Sequence, residues 1–276
     1  MEKIRQKRIA VVNDITGFGR CSVAVAQPII SAMKIQCCVF PTAILSSHTG
    51  FKNFFFDDYT SKMRQYMNNW KELELEFDGI CTGFLGSKKQ IDIVIEFLEN
   101  FKKKDTIVMI DPVMGDYGKL YSTYTKDMCD EMKKLLKYAD VVAPNLTEAC
   151  TLLDLEYPNK VLDDKELEYI AVKLCEKGPS KVVITGLQDG QNIHNFVYEK
   201  GVGYFRIATL KLGEDRSGTG DVFTSIVISN LVKGVSFKEA VKRASDFIYK
   251  TIEFTMKLDT PVRNGLCFEE YLTELK

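Results

Sequence analysis

Histidine is almost missing from this chain of 276 residues, which has two, and tryptophan occurs once. A zinc site built on imidazole therefore has little material to draw on. The eight cysteines include no C-x-x-C pair, and Cys37 and Cys38 are adjacent, a spacing that suits neither a disulfide nor a closed metal site. They read as reduced core residues. No stretch approaches the ~20 apolar residues of a membrane span, and the opening MEKIRQKRIAVV lacks the apolar run of a signal peptide. A soluble, cytoplasmic protein with no membrane partner is expected. Charge of one sign is also lacking. The 37 basic and 38 acidic residues leave a net charge of -1 and are interspersed, so no field is prepared for a phosphate backbone and nucleic acid is not an expected partner. Lys102 to Lys104 reads as the solvated end of a helix.

Apolar residues, by contrast, make up 45% of the chain. They gather in short runs at 9–12, 38–40, 79–81, 107–110, 141–143 and 182–184, the pattern of strands covered on both faces. Helical segments are predicted between them near 23–33, 58–70, 88–101, 126–137 and 165–176. This alternation predicts an α/β fold with a doubly wound, mostly parallel central sheet flanked by helices. Segments 195–198 and 203–207 read as a strand pair, followed by two helices, the second opened by the capping box Ser236 to Glu239. With no repeat, linker or low-complexity stretch, residues 1–276 are expected to form one domain.

Ligands of such sheets bind beyond the carboxyl ends of the strands, so the polar residues after each apolar run are the candidates for function. They are Asn13-Asp14-Ile-Thr-Gly17-Phe-Gly19, Asp111-Pro-Val-Met-Gly115-Asp116, Asn145-Leu-Thr-Glu148 and Thr185-Gly186. Each also has a purely structural explanation. Asn145 with Glu148 three residues later is a helix capping box, Asp111-Pro112 can be a strand end entering a turn, and Gly17 and Gly19 can serve a tight turn. Asn145 also opens a glycosylation sequon, which a chain without a secretory signal does not use.

The stretch RSGTGDVFTS, 216–225, has fewer alternatives. Downstream, Val222, Phe223, Ile226, Val227, Leu231 and Val232 recur at spacings that bury one stripe of a helix, and Gly234 marks its stop. It lacks the lysine of a P-loop and the third glycine of a dinucleotide fingerprint, which argues against a nicotinamide oxidoreductase. What remains is a set of glycines that let main-chain N–H groups approach an anion at the positive end of a helix. Asp221 beside them either complements the helix dipole or faces a hydroxyl about to attack a phosphate. The dipole is expected to keep it ionised at neutral pH.

Taken together, Gly218-Thr219-Gly220-Asp221 resembles the signature of the ribokinase (PfkB-like) superfamily, and Asn145 to Glu148 resembles its magnesium and phosphate motif. DPVMGD at 111–116, SSHTGF at 46–51 and TGFLGS at 82–87 resemble the pyridoxal kinase branch. The similarity runs in order over about 8–257. It implies a ribokinase-like fold and ATP-dependent phosphorylation of the hydroxymethyl group of a vitamin B6 compound. Asp221 would be the base, with Gly218, Thr219 and Gly220 as the anion hole. Asp111, Asn145, Thr185 and Gly186 would lie near ATP and its phosphates, and Glu148 with Asp111 would serve Mg2+. Asn13, Ser46, Thr49 and Phe84 would line the ring pocket. A monovalent cation such as K+ and a homodimer are further features of the branch. Asn13 stands where many pyridoxal kinases have Ser, Ser47 where many have Asn, Phe84 where Tyr is common and Gly186 where Ser is frequent. These departures leave hydroxymethylpyrimidine, the substrate of a sister branch, as an alternative alcohol, and a non-catalytic B6- or nucleotide-binding protein as the alternative of another class. The loop 210–217, just before the anion hole, is the candidate lid.

Overall fold

The computed structural model describes residues 5–276. Its first half runs β1 (Arg8–Phe18), α1 (Val23–Ala32), β2 (Gln36–Ser47), β3 (Phe56–Asp58), α2 (Thr60–Glu72), β4 (Gly79–Thr82), α3 (Lys88–Phe101), β5 (Ile107–Ile110), β6 (Gly115–Asp116) and β7 (Lys119–Leu120). There follow α4 (Lys126–Met132), β8 (Val141–Val142), α5 (Leu146–Leu152), α6 (Asp164–Cys175), β9 (Lys181–Asp189), β10 (Asn192–Glu199), β11 (Gly203–Leu210), α7 (Thr219–Val232) and α8 (Phe237–Lys257). One nine-stranded sheet has the order β11-β10-β9-β8-β5-β4-β1-β2-β3, and β6 and β7 form a separate small hairpin. The six strands from β9 to β2 pair in parallel, while β3, β10 and β11 add antiparallel margins. The doubly wound sheet expected from the alternating runs is therefore present.

The unbroken apolar runs follow from burial on both faces. In β1, Ala10 and Val12 enter a core shared with α2, α3, α4 and α6, while Ile9 and Val11 enter a second core against α1, α7 and α8. The first core contains a cluster of tilted aromatic rings, with Phe97 centred 4.7 Å from Phe40 and 4.6 Å from Phe101. Each such ring, fully removed from water, stabilises the fold by about 2–3 kcal/mol.

Four differences from the sequence expectation have physical causes. The segment predicted at 126–137 is α-helical only to Met132 and continues as a 3-10 turn over Lys133–Tyr138. Helix α7 is not striped: every residue from Val222 to Val232 is buried, polar Thr224, Ser225, Ser229 and Asn230 included. It lies between the sheet and helices α1 and α8, so it has no solvent face to mark with a polar stripe. Strands β1 and β2 continue to Phe18 and Ser47, well past their apolar runs, and pair as far as Phe18 with Ser47. Gly17 thus belongs to a strand; only Gly19, at φ +92°, makes the turn. Finally, the Ser236 side chain accepts from the Glu239 N–H at 3.4 Å, the one half of the expected box that is formed. Among the described residues no helix is long and apolar enough to cross a membrane.

Candidate active site

The carboxyl ends of the parallel strands open into a cavity of about 920 Å³. Its lining brings together Asn13, Phe84, Asp111, Asn145, Glu148, Thr185, Gly186 and 218–221, so residues spread over most of the chain converge on one space. Helix α7 points its N-terminus into this cavity. Val222 is the first residue to donate back along the helix, to the Gly218 carbonyl at 3.0 Å, which leaves the N–H groups of Thr219, Gly220 and Asp221 without intrahelical acceptors. Gly218 caps the helix with no side chain, at φ +80°. A Cβ there would come within 1.8 Å of the Arg20 carbonyl, so only glycine permits this close approach. Thr219 is set by its hydroxyl donating to the Arg216 carbonyl at 2.9 Å.

Asp221 sits in the first turn of α7, and both its oxygens are already addressed. Asn13 Nδ2 donates to Oδ1 at 3.0 Å, and the Ser22 N–H donates to Oδ2 at 2.8 Å. Asn13 is fixed in turn, because its Oδ1 accepts from the Asp14 and Phe84 N–H groups, both at 2.9 Å. Gly83, within TGFLGS, makes room for it: a Cβ there would lie 2.3 Å from Asn13 Nδ2. The helix dipole does not keep Asp221 strongly acidic. Enclosure by protein pushes its carboxyl up to about 7, and the nearby charges of Asp111 and Asp14 add to the rise, against the lowering by the Ser22 N–H and Asn13. Desolvation therefore outweighs the dipole, which corrects the expectation of a fully ionised group.

The two further carboxylates lie along the same cavity. Asp111, at the end of β5, accepts from Thr224 Oγ1 at 3.1 Å. Glu148 completes the capping box of α5 by accepting from the Asn145 N–H at 2.9 Å, while its other oxygen accepts from the Met114 N–H at 2.9 Å. The capping explanation of this motif is therefore met, and the same buried side chain lines the cavity. Burial raises the proton affinity of both acids, and for Glu148 the charge of Asp111 adds to the effect. Asn145 spends its amide on Gly115 O at 2.7 Å and thereby ties β6 to α5. Thr185 pairs with Asn145 across the strand ends, and the Gly186 N–H donates to Asn195 Oδ1 at 3.3 Å.

Ser46 and Thr49 are not brought into this cavity. Both are exposed on the extension formed by β2 and β3, where Ser46 Oγ accepts from the Phe55 N–H at 2.8 Å. The continuation of β1 and β2 beyond the helices carries them outward. The loop 210–217 is tied to the β6–β7 hairpin across the cavity mouth: the Tyr117 hydroxyl donates to Asp215, Gln188 Nε2 donates to that hydroxyl at 3.1 Å, and Lys211 Nζ donates to Gln188 Oε1 at 2.8 Å. Sequence reasoning did not single out Ser22 or Thr224, and it placed Asp14 among the polar residues after the first apolar run without assigning it a role.

The profile of the family described as phosphomethylpyrimidine kinase matches residues 30–264. Pyridoxal kinase PdxY of Actinobacillus pleuropneumoniae is 26% identical over 187 residues, 64% of this chain and 63% of that protein. The hydroxymethylpyrimidine/phosphomethylpyrimidine kinase of Haemophilus influenzae is 28% identical over 181 residues, 64% of this chain and 65% of that protein. The chain thus spans less than two thirds of the length of each of these two relatives. Among solved structures, a Bacteroides thetaiotaomicron protein provisionally assigned as a phosphomethylpyrimidine kinase is 38% identical in a crystal form with pyridoxal, with a TM-score of 0.94 over 98% of this chain and 96% of that one. Pyridoxal kinase from Lactobacillus plantarum is 26% identical, with a TM-score of 0.90 over 98% and 97% of the two chains. The chain belongs to the phosphomethylpyrimidine kinase family, within the ribokinase-like superfamily that includes the pyridoxal kinases.

Proposed function

We propose that this protein transfers the γ-phosphoryl group of ATP to the hydroxymethyl group of a vitamin B6 compound. The observation that carries this is the juxtaposition of Asp221 with the open N-terminus of α7 in one large cavity. The substrate alcohol would lie between them. As its oxygen bonds to the γ-phosphorus and the bond to the β-phosphate oxygen breaks, ADP departs and the hydroxyl proton passes to the carboxylate of Asp221. Main-chain N–H groups of Gly218, Thr219 and Gly220 would meet the negative charge spreading over the phosphoryl oxygens. A carboxylate with a pKa of about 7 is ionised in roughly half the molecules at neutral pH, which matches a base that is needed only as the barrier is crossed.

The donors fit a hard divalent cation. Asp111 and Glu148 offer oxygen only, and among the described residues no cluster of three or more His, Cys, Asp or Glu could hold a metal by itself. Such a pair suits Mg2+ that arrives with nucleotide phosphates and keeps several waters. When bound, Mg2+ would neutralise phosphate charge; Glu148, with both oxygens engaged by main-chain N–H groups, would act on it through water.

Vitamin B6 is favoured over hydroxymethylpyrimidine by the pyridoxal in the Bacteroides relative's crystal, whereas the family profile favours the pyrimidine as second reading. A panel of pyridoxal, pyridoxamine, pyridoxine and hydroxymethylpyrimidine with Mg-ATP separates them by kcat/KM. Tight binding of a B6 compound with no phosphorylated product from any of the four would instead mark a non-catalytic binding protein. A homodimer belongs to the same proposal. Phe18, Phe54, Phe55 and Phe56 are exposed, Phe55 at 64%, on the strand extension beyond the helices. A second copy covering them would give a dimer mass in light scattering, and Phe55→Asp is expected to shift it to monomer.

A further inference from the structure

Beneath the base lies a second carboxylate that does not line the cavity and, among the described residues, is paired with no cation. Asp14 is 4% exposed and is held by two hydroxyls, Thr16 Oγ1 at 2.6 Å and Ser22 Oγ at 2.7 Å. It lies where the pairing of β1 with β2 shifts register, the two steps from Asn13 to Ile15 facing three from Pro41 to Ile44 in β2. Asn13 and Asp14 are both buried, in a strand covered on both faces. Bulges of this kind re-aim side chains beside active sites.

Ser22 is the other half of the arrangement. It precedes α1 at the position where serine ordinarily caps a helix, but its side chain makes no cap hydrogen bond. The hydroxyl goes to Asp14 instead. Its backbone is at φ +54° and ψ -135°, which a residue with a Cβ adopts only under constraint. In that conformation the Ser22 N–H points at Asp221 Oδ2, 2.8 Å away. The hydroxyl is spent on Asp14 and the N–H on Asp221, while the Ser22 carbonyl starts α1 by accepting from the Val25 and Ala26 N–H groups.

We propose that Asp14 is a positioning residue for phosphoryl transfer, anchoring the Ser22 hydroxyl so that the strained Ser22 N–H fixes Oδ2 of Asp221 while Asn13 fixes Oδ1. Neighbouring residues of β1 at the register shift thus supply both sides of a clamp, Asn13 directly and Asp14 through Ser22. Held in this way, Asp221 keeps the lone pair that receives the substrate proton turned toward the cavity. The inference rests on the kinase reading for its kinetic consequences, although the clamp itself can be seen without turnover.

The test is a double-mutant cycle on the full chain, with kcat and both KM values measured for the best alcohol of the panel. Asp14→Ala is expected to lower kcat by ~10- to 100-fold with each KM within about threefold, because alignment and not binding is lost. Ser22→Gly, which can hold a positive φ without an anchor, is expected to retain at least ~5-fold more kcat than Ser22→Ala. In the Ser22→Gly background, adding Asp14→Ala is expected to cost less than ~3-fold, since the residue through which Asp14 acts no longer needs it. Equal losses in Ser22→Gly and Ser22→Ala, additive effects of Asp14 and Ser22, or a loss confined to KM would overturn the proposal. If Asp14→Ala does not fold, the Ser22 pair decides alone. A crystal structure of Ser22→Ala gives a readout independent of the reaction: φ at position 22 relaxed to negative values and the Asp221 contact open support the clamp, and an unchanged contact refutes it. Failure of wild-type protein to phosphorylate any alcohol in the panel, with the clamp seen to open in Ser22→Ala, would sink the kinase reading and leave the clamp standing.

Discussion

Helix α6 starts behind Asp163, whose carboxylate accepts from the Glu166 N–H while Glu166 accepts from the Asp163 N–H; helix α7 starts behind Gly218, which has no side chain to offer. Both starts carry the same main-chain donors and the same positive dipole end. At α6 they are answered locally, and the helix gains stability. At α7 they face the large cavity, and the glycine that leaves them open is also the residue wedged against the Arg20 carbonyl. The difference teaches that an unsatisfied helix start in a buried setting is a site prepared for an anion, whereas a closed box is an element of stability. Helix α5 stands between the two, because its box is closed by Glu148, a buried acid that also lines the cavity.

Apart from the base itself, the largest effect should come from filling the open start. Gly218→Ala is expected to lower turnover by ~10²-fold and stability by about 2 kcal/mol or more, since its Cβ must displace the Arg20 backbone at a positive φ; unchanged kinetics with an unchanged melting temperature would erase the distinction between the two helices. A second effect is in pH. Asp221, Asp111 and Glu148 all hold their protons more tightly in the folded chain than in the unfolded one. The unfolded state therefore releases protons first as pH rises from about 4, so the ligand-free protein should lose stability toward pH 7–8, by on the order of 1–3 kcal/mol. Glu148→Gln should flatten that slope, and Mg-ATP should raise Tm more at pH 8 than at pH 5.5, both measurable by calorimetry. With ionised Asp221 as the proposed base, kcat/KM should climb through about pH 7 and level above it. The smallest effect belongs to the closed box: Asp163→Ala is expected to lower Tm by about 2–4 °C and leave kcat alone.

The doubly wound sheet was legible because strands buried on both faces, such as Ile107–Ile110, read as unbroken apolar runs. The outer ends of β1 and β2 were not, because there apolar Ile15 and Ile44 are exposed while polar Asp14, Thr16 and Ser47 are buried, the reverse of the pattern that marks a strand. Most of the candidate site was legible from polar residues placed directly after strands and from the ordered resemblance. Ser22 escaped, and Asp14 was placed among the candidates without a role, because their arrangement depends on a register shift and a positive φ, neither of which leaves a trace in residue type. Ser46 and Thr49 followed the motif into the ring pocket, but the extended strands place them on the surface. The ionisation of Asp221 was misjudged because a dipole can be read from sequence and enclosure cannot.

The central claim is tested most directly by phosphoryl transfer from Mg-ATP to pyridoxal and to hydroxymethylpyrimidine, measured in parallel for wild-type protein and Asp221→Asn, with ATP affinity followed by calorimetry. The account predicts a phosphorylated product from the wild type, equal ATP binding by both proteins and turnover lower by ~10²-fold or more in the variant. Turnover by Asp221→Asn close to that of the wild type would contradict it.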